Sequence, residues 1–391
     1  MKKWSMPATS GAKIAIITDS FYAINGVSRT YQELVKYCRH KNLAVDIFTI
    51  GKTTKTKKLG SVRIYQFTAV WPVNYYHDLP PFDAKIISPG FKEKLLSGKY
   101  DIFHLATPGS LGIAARILLA KNPTPKIGVF HTLLAEYVSC WTKNGLKKLP
   151  DYIRDSMTDL SHAATWRFLK WFYAKTDLVL APTQTIKDNL KILGRPIEIF
   201  PRGVKTEIFS PKYKSPKRKE KLPVALYVGR LSTEKNLDLL VSVFKNRTDV
   251  KLWLAGEGPY GQGLKAQLPK ATFFGYLSGS KLGWVYANAD FFVFPSVTDT
   301  FGNVILEAQA SGLPAIVTDR GGPKELVSHN IDGLISEPTP KAFGQAVDLL
   351  IKNQAKRELM GQKARVKALS QSWDKTFDRL FEIYQKLKLT L

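Results

Sequence analysis

Cysteine is scarce in this chain of 391 residues: Cys38 and Cys140 are the only two, with no Cys-x-x-Cys and no Cys/His cluster. A disulfide framework and a zinc site are therefore not expected, and a reducing compartment fits best. Long hydrophobic runs are also missing. No stretch reaches the roughly 18–20 apolar residues that a membrane-spanning helix needs, and Met1–Gly11 lacks the apolar core of a signal peptide. The expectation is a protein that is soluble or lies on a surface rather than spanning one. Acidic residues are in short supply too, 32 against 58 Lys and Arg, leaving a net charge of +26. Residues 1–215 carry +18 of that excess and the remainder +8. Such an imbalance draws a protein toward polyanions. No zinc-finger, RRM or KH pattern accompanies it, so an anionic membrane face is the expected partner and nucleic acid is not.

What is present reads as two α/β units. The length exceeds a comfortable single domain, and short apolar runs alternate with helical patterns throughout. In the amino half the runs are Ile14–Thr18, Val45–Thr49, Val62–Tyr65, Ile102–Leu105, Ile127–Phe130, Leu178–Ala181 and Ile197–Phe200. In the carboxyl half they are Val224–Val228, Val250–Ala255, Thr272–Phe274, Phe291–Phe294 and Ala315–Thr318. Strands apolar on both faces and separated by helices indicate parallel sheets covered on both sides. Pro211–Pro223, reading PKYKSPKRKEKLP, is basic and proline-punctuated, as a linker should be. The expected organisation is an amino-terminal domain over 12–210, a linker over 211–223, a carboxyl-terminal domain over 224–371 and a helix over 372–391. In that helix Trp373, Phe377, Leu380, Tyr384 and Leu387 share one face and require a burial partner.

The carboxyl half holds the chemistry. Strand Val224–Val228 runs into Gly229-Arg230-Leu231-Ser232-Thr233-Glu234-Lys235-Asn236. Gly229 permits a tight turn, and Arg230 and Lys235 place cations over the crevice where open α/β sheets bind ligands. A diphosphate there would accept charge-assisted hydrogen bonds. After Phe291–Phe294, the residues Thr300, Phe301, Gly302 and Asn303 open a helix whose first N–H groups form an anion site. Asp299 can reach a hexose hydroxyl, and Glu307 can accept from ribose hydroxyls. Gly321-Gly322-Pro323 and Glu325 follow at the lip of the same face.

The series GRLSTEKN, GEGP, FFGYL, FPSVTDTFGNVILEAQASGLP and DRGGPKELV resembles the retaining glycosyltransferases of family 4. TDSFYAINGVSRT and PRGVKTEIFSP resemble their lipid-directed mannosyl-, glucosyl- and sulfoquinovosyltransferases, above all the GDP-mannose-dependent α-mannosyltransferases. The similarity covers nearly the whole chain and weakens in Lys52–Lys99 and Lys143–Lys175. It implies a GT-B fold, two Rossmann-like domains facing across a cleft, with the terminal helix crossing back onto the amino domain. It also implies Arg230 and Lys235 on the donor diphosphate, Glu307 on the ribose, Phe274 and Gly275 beside the base, and Phe301–Asn303 beside the phosphates and sugar. Two positions depart from the family pattern: Asp299 replaces a glutamate, and Lys205 replaces the aspartate of GVD.

In the amino half, the loop after Ile14–Thr18 leads to Asn25, Gly26 and Ser28 at a helix start, where backbone can approach a phosphate or sugar oxygen. The resemblance assigns Asn25 and Gly26 to the donor phosphate and His131, just past a strand end, to the sugar. No Asp-x-Asp occurs, so Arg230, Lys235 and helix N-termini are expected to stabilise the leaving phosphate without a metal. The implied function is retaining transfer of a hexose, mannose ahead of glucose, from GDP-mannose or a UDP-hexose. Neither needs a resident cofactor. Two segments could hold a lipid or glycan acceptor: Trp71–Phe82, and Trp166–Lys175, which mixes aromatics with cations as interfacial helices do. The setting would be the cytoplasm, peripheral on the inner membrane face. The alternatives are a soluble acceptor, a sugar-nucleotide epimerase of the same fold, or a non-catalytic membrane binder. A dehydrogenase is disfavoured: GEGPYG matches Gly-x-Gly-x-x-Gly, but Pro259 interrupts it and no acid lies about 20 residues on.

Overall fold

A computed structural model describes residues 12–23, 25–68, 90–216 and 220–390. Two sheets carry the molecule. The first orders its strands β3-β4-β2-β1-β5-β6-β7-β8, with β1 (Ile14–Thr18), β2 (Val45–Gly51), β3 (Lys55–Leu59), β4 (Val62–Thr68), β5 (Ile102–Leu105), β6 (Lys126–Val129), β7 (Leu178–Ala181) and β8 (Ile197–Ile199). Only β3 is antiparallel. The second sheet is parallel throughout, in the order β11-β10-β9-β12-β13-β14. Its strands are β9 (Val224–Val228), β10 (Lys251–Ala255), β11 (Thr272–Phe273), β12 (Phe291–Phe294), β13 (Ala315–Thr318) and β14 (Gly333–Ser336).

The continuous apolar runs are explained by burial on both faces. Every residue of β1, β5, β7, β9, β12 and β13 is buried. Each sheet changes direction beside its first strand: β1 lies between β2 and β5, and β9 between β10 and β12. Ligands of open α/β sheets collect at such switch points. The loops after β1 and β9 hold Asn25 and Gly26, and Arg230 and Lys235, the residues expected at a phosphate.

The helix Trp373–Thr390 completes the amino-half core. Ile14 and Ile16 of β1 point to the face that also holds Trp373, Phe377, Leu380, Phe381, Ile383 and Tyr384, while Ala15 and Ile17 point to the other face. Leu387 packs at the margin of the same cluster. The chain thus leaves the first sheet and returns to it, and the two crossings touch. Val204 N donates to Gln371 O at 2.9 Å, and a Cβ on Gly203 would stand 2.4 Å from Trp373 N. Val204 and Phe209 already belong to the carboxyl-half core. The crossing is therefore upstream of the expected linker. Residues 211–216 are fastened to the carboxyl half, where Asn288 takes Ser215 N at 2.8 Å and donates to Tyr213 O at 3.2 Å. Proline and lysine there mark an exposed surface rather than the crossing.

Candidate active site

A cleft of about 1050 Å³ opens between the carboxyl ends of the two sheets and is lined from both. Of the residues expected at the site, Asn25, Gly26, His131, Gly229, Arg230, Lys235, Asp299, Thr300, Phe301, Gly302, Asn303 and Glu307 line it. Phe274 and Gly275 do not. Phe274 packs edge-on against Trp253 at 5.3 Å, and Gly275 uses a left-handed φ of 68° to return the chain, its carbonyl accepting from Gly256 N at 2.8 Å. The wall at that place is made by Glu257, Tyr276 and Leu277 instead. The turn at Gly275 reverses which residues face the cleft, a geometry no local periodicity announces.

On the carboxyl side, Lys235 Nζ lies 2.8 and 3.0 Å from the two oxygens of Asp299 and 3.4 Å from Tyr137 OH. Burial works against the ammonium, but Asp299 and the neighbouring phenols hold its pKa above the ordinary value. The two groups assigned separately to diphosphate and hexose thus form one ion pair. Asp299, one methylene shorter than glutamate, keeps its carboxylate at the lysine. Arg230 lines the cleft beside them. The helix Asn303–Ala310 begins at Gly302, whose φ of 91° favours glycine, and has no side-chain cap. Its first-turn N–H groups are therefore not consumed by a neighbouring side chain. Glu307 is buried and accepts from Tyr286 OH at 3.1 Å and from the Arg29 guanidinium. Desolvation raises its pKa, while Arg29 and Tyr286 pull the other way.

On the amino side, Asn25 caps the helix Gly26–His40, its Oδ1 accepting from Ser28 N at 2.8 Å. A Cβ on Gly26 would stand 3.1 Å from Asn303 Nδ2, so the two helix starts approach each other across the cleft. His131 has both ring nitrogens engaged. Arg202 Nη2 lies 2.6 Å from Nδ1, and Tyr31 OH lies 3.1 Å from Nε2. Tyr31 OH also lies 2.8 Å from His104 Nε2, and Tyr384 OH lies 2.7 Å from His104 Nδ1. Arginine can only donate, so His131 Nδ1 accepts and its proton resides on Nε2. The chain of bonds ends on the terminal helix. Desolvation, then the Arg202 charge, pushes His131 well below the ordinary histidine range and His104 down to about 3.

Further contacts close the two halves on each other. Thr300 Oγ1 donates to His131 O at 2.7 Å, and Thr183 Oγ1 donates to Thr300 O at 3.2 Å. Glu325 accepts from Gln184 N at 2.8 Å and from Thr185 N, so a lip residue of one half caps a helix of the other. Of the segments considered for the acceptor, Trp71–Phe82 lies outside the described residues. Trp166–Lys175 is the end of a packed helix: Leu169, Phe172 and Tyr173 are buried, Leu169 and Tyr173 line the cleft, and Arg116 stacks on half-exposed Trp171 at 4.1 Å. Among the described residues no helix is long and apolar enough to cross a membrane.

Sequence reasoning passed over Arg29, Tyr31, Tyr137, Arg202 and Tyr286. Arg29 stands three residues past Gly26, one helical turn inside the loop already singled out. Arg202 precedes Gly203-Val204-Lys205, in a motif that carried the resemblance and in which only the lysine was singled out.

The glycosyltransferase family 4 model matches residues 24–208, and the model for glycosyl transferases group 1 matches residues 210–367. Their junction, at residue 209, falls between the crossing at Gly203 and Val204 and the start of the expected linker. A GDP-mannose-dependent alpha-mannosyltransferase of Mycolicibacterium smegmatis is 27% identical over 95% of this chain and 97% of its own length. The sulfoquinovosyl transferase of Arabidopsis thaliana is 26% identical over 90% and 69%. The alpha-monoglucosyldiacylglycerol synthase of Streptococcus pneumoniae is 27% identical over 87% and 78%. Among solved structures, the sucrose-phosphate synthase of Thermosynechococcus elongatus superposes with a TM-score of 0.80 at 20% identity, covering 97% of this chain and all of that one. Two matching models that together span most of the chain, on a GT-B frame with the cleft between its halves, settle the family: the chain belongs to the family 4 glycosyltransferases.

Proposed function

We propose that the protein transfers a hexose, mannose ahead of glucose, from a nucleoside-diphosphate sugar to a lipid or membrane-held glycan, with retention of configuration and without a metal. The observation that carries this reading is the convergence on one cleft of Arg230, the Lys235–Asp299 pair, Glu307 and the uncapped helix start at Asn303. Cations and helix N–H groups suit a diphosphate leaving group, and a buried carboxylate suits ribose hydroxyls. The GDP-mannose-dependent alpha-mannosyltransferase and the alpha-monoglucosyldiacylglycerol synthase among the relatives support the choice of sugar, and the second supports a lipid acceptor. In the reaction the acceptor oxygen forms a bond to the anomeric carbon on the face from which the phosphate departs. The bond between that carbon and the phosphate oxygen breaks, and the acceptor proton passes to the phosphate. Arg230 and the helix start hold the developing charge. His131, with both ring nitrogens engaged, shapes the sugar pocket and is not the base.

The basic excess of residues 1–215 supports a place on an anionic, cytosol-facing membrane surface. The test is a donor panel, GDP-mannose and UDP-glucose among others, offered with membrane-lipid extract. The expected result is sugar incorporated into lipid from one donor, with an axial or equatorial anomeric bond matching the donor's and no change on adding EDTA. Conversion of the donor without any acceptor would favour the epimerase instead. Flotation with vesicles should show binding to anionic and not to neutral lipid; no binding to either removes the membrane.

A further inference from the structure

We propose that Arg202 forms an oxyanion subsite on the amino-half wall of the cleft, seating a phosphate, sulfonate or carboxylate carried by a substrate. This rests on the reading of the cleft as a sugar-transfer site. Arg202 lines the cleft yet is only 4% exposed. Its hydrogen-bond partners are all neutral: Phe200 O at 3.1 Å, Pro201 O at 3.5 Å and His131 Nδ1 at 2.6 Å. Beneath it lies the Phe200 ring at 5.0 Å. Among the described residues no carboxylate pairs with it, and a buried charge is costly unless paired. Burial draws its pKa down to about 10, against the pull of Tyr31, so the guanidinium stays charged near neutrality.

The other cations of this wall are accounted for. Arg29 pairs with Glu307, and Lys36 and Lys205 share the Glu33 carboxylate at 2.9 and 2.7 Å. Four cations, Arg29, Lys36, Arg202 and Lys205, line the cleft from this side against Glu33 alone. Lys205 stands where the family pattern has an acid, which makes the wall more positive still. A guanidinium has five N–H donors, more than its protein partners use. The imidazole that receives one of them is fixed in turn by Tyr31, His104 and Tyr384. The plane of the fork is therefore set before any ligand arrives, and a planar, two-point acceptor is what such a fork recognises.

The oxyanion could come from the donor diphosphate or from an acidic group on the sugar or acceptor, and the experiment separates them. Arg202→Gln and Arg202→Lys are compared with the unaltered protein by calorimetry and thermal unfolding, using three probes. Inorganic sulfate, at ionic strength matched with chloride, reads the subsite without reference to sugar transfer. GDP and UDP against guanosine and uridine read the diphosphate. Octyl glucuronide against octyl glucoside reads an acidic sugar. In Arg202→Gln, sulfate and one of the two substrate probes should weaken roughly tenfold or more, with the neutral counterpart unchanged. Arg202→Lys should retain part of the affinity. Loss confined to GDP or UDP assigns the diphosphate; loss of the glucuronide preference assigns an acidic sugar. Unchanged sulfate, diphosphate and glucuronide affinities in folded Arg202→Gln would overturn the proposal. So would equal losses in both variants, which indicate a packing role. If the unaltered protein binds no nucleoside diphosphate, the sugar-transfer reading fails, while the sulfate and glucuronide arms still judge Arg202.

Discussion

A histidine at a strand end facing a cleft invites assignment as an acid or base, but the partners of His131 decide otherwise. Its Nδ1 is held by a group that can only donate and its Nε2 by Tyr31. Protonation would place a second charge against Arg202 in a buried site. His104 is held similarly, with its pKa at about 3 against an ordinary 6.5. Below pH 6.5 the unfolded chain takes up protons that these folded histidines refuse, so stability falls as pH falls and is untouched above 6.5. At pH 5 His104 alone should remove about 2 kcal/mol, and His131 adds to the fall in the same direction. Urea midpoints at pH 7 and pH 5 measure the fall, and His104→Asn should make it shallower by the His104 share. Arg230 is the opposite case, a cleft-lining cation proposed to act on the leaving phosphate. Arg230→Ala should lower kcat with saturating donor by about 10²-fold while leaving the unfolding midpoint near that of the unaltered protein. Unchanged turnover would remove Arg230 from the reaction. The histidine and this arginine were legible because both sit at strand ends; the bonds of Tyr31 and Tyr384 to His104, which span 73 and 280 positions, were not.

Elements were legible to the extent that burial was two-sided. Runs such as IAIIT and FFVF have no polar alternation because helices cover both faces, so their bounds can be read directly. β3 escaped because KTKKL is an exposed edge strand whose lysines resemble a solvated loop. Such lysines also discourage a further strand from pairing there. β14 escaped because it opens on glycine and holds only two apolar side chains, Leu334 and Ile335. The terminal helix was read from its apolar stripe, but the stripe could not name its partner, which turned out to be the face of β1 bearing Ile14 and Ile16. This dependence has a consequence. Phe377 is fully buried between the helix and the amino-half core, so Phe377→Ala should cost about 3–5 kcal/mol. The loss should appear in the amino half first, as faster hydrogen exchange in β1 and β2 than in β9 and β12. Equal acceleration in both sheets would mean that the helix supports the carboxyl half as strongly.

At the scale of the whole molecule, the cleft is bridged by a pair that no sequence reading could join: Arg29 and Glu307 are 278 positions apart. The carboxylate assigned to the ribose is buried, with its pKa raised by desolvation and held back by Arg29, then by Tyr286. Arg29 therefore favours the ionised form of the group proposed to accept from the donor, although it belongs to the opposite half. Removing it leaves desolvation opposed only by Tyr286, so the Glu307 pKa climbs. An ionised carboxylate is the form that accepts two hydroxyls, hence donor binding should be lost as pH falls through that higher value. The acid limb of kcat/KM for the donor should move to higher pH in Arg29→Ala, with KM rather than kcat carrying the change, and return in Arg29→Lys. Glu307→Gln, which has no proton to lose, should show weak donor binding with no acid limb from this group. If Arg29→Ala leaves the acid limb in place, Arg29 serves only to hold the halves together, and small-angle scattering of the ligand-free variant should then show a larger radius of gyration with unaltered donor affinity per closed molecule.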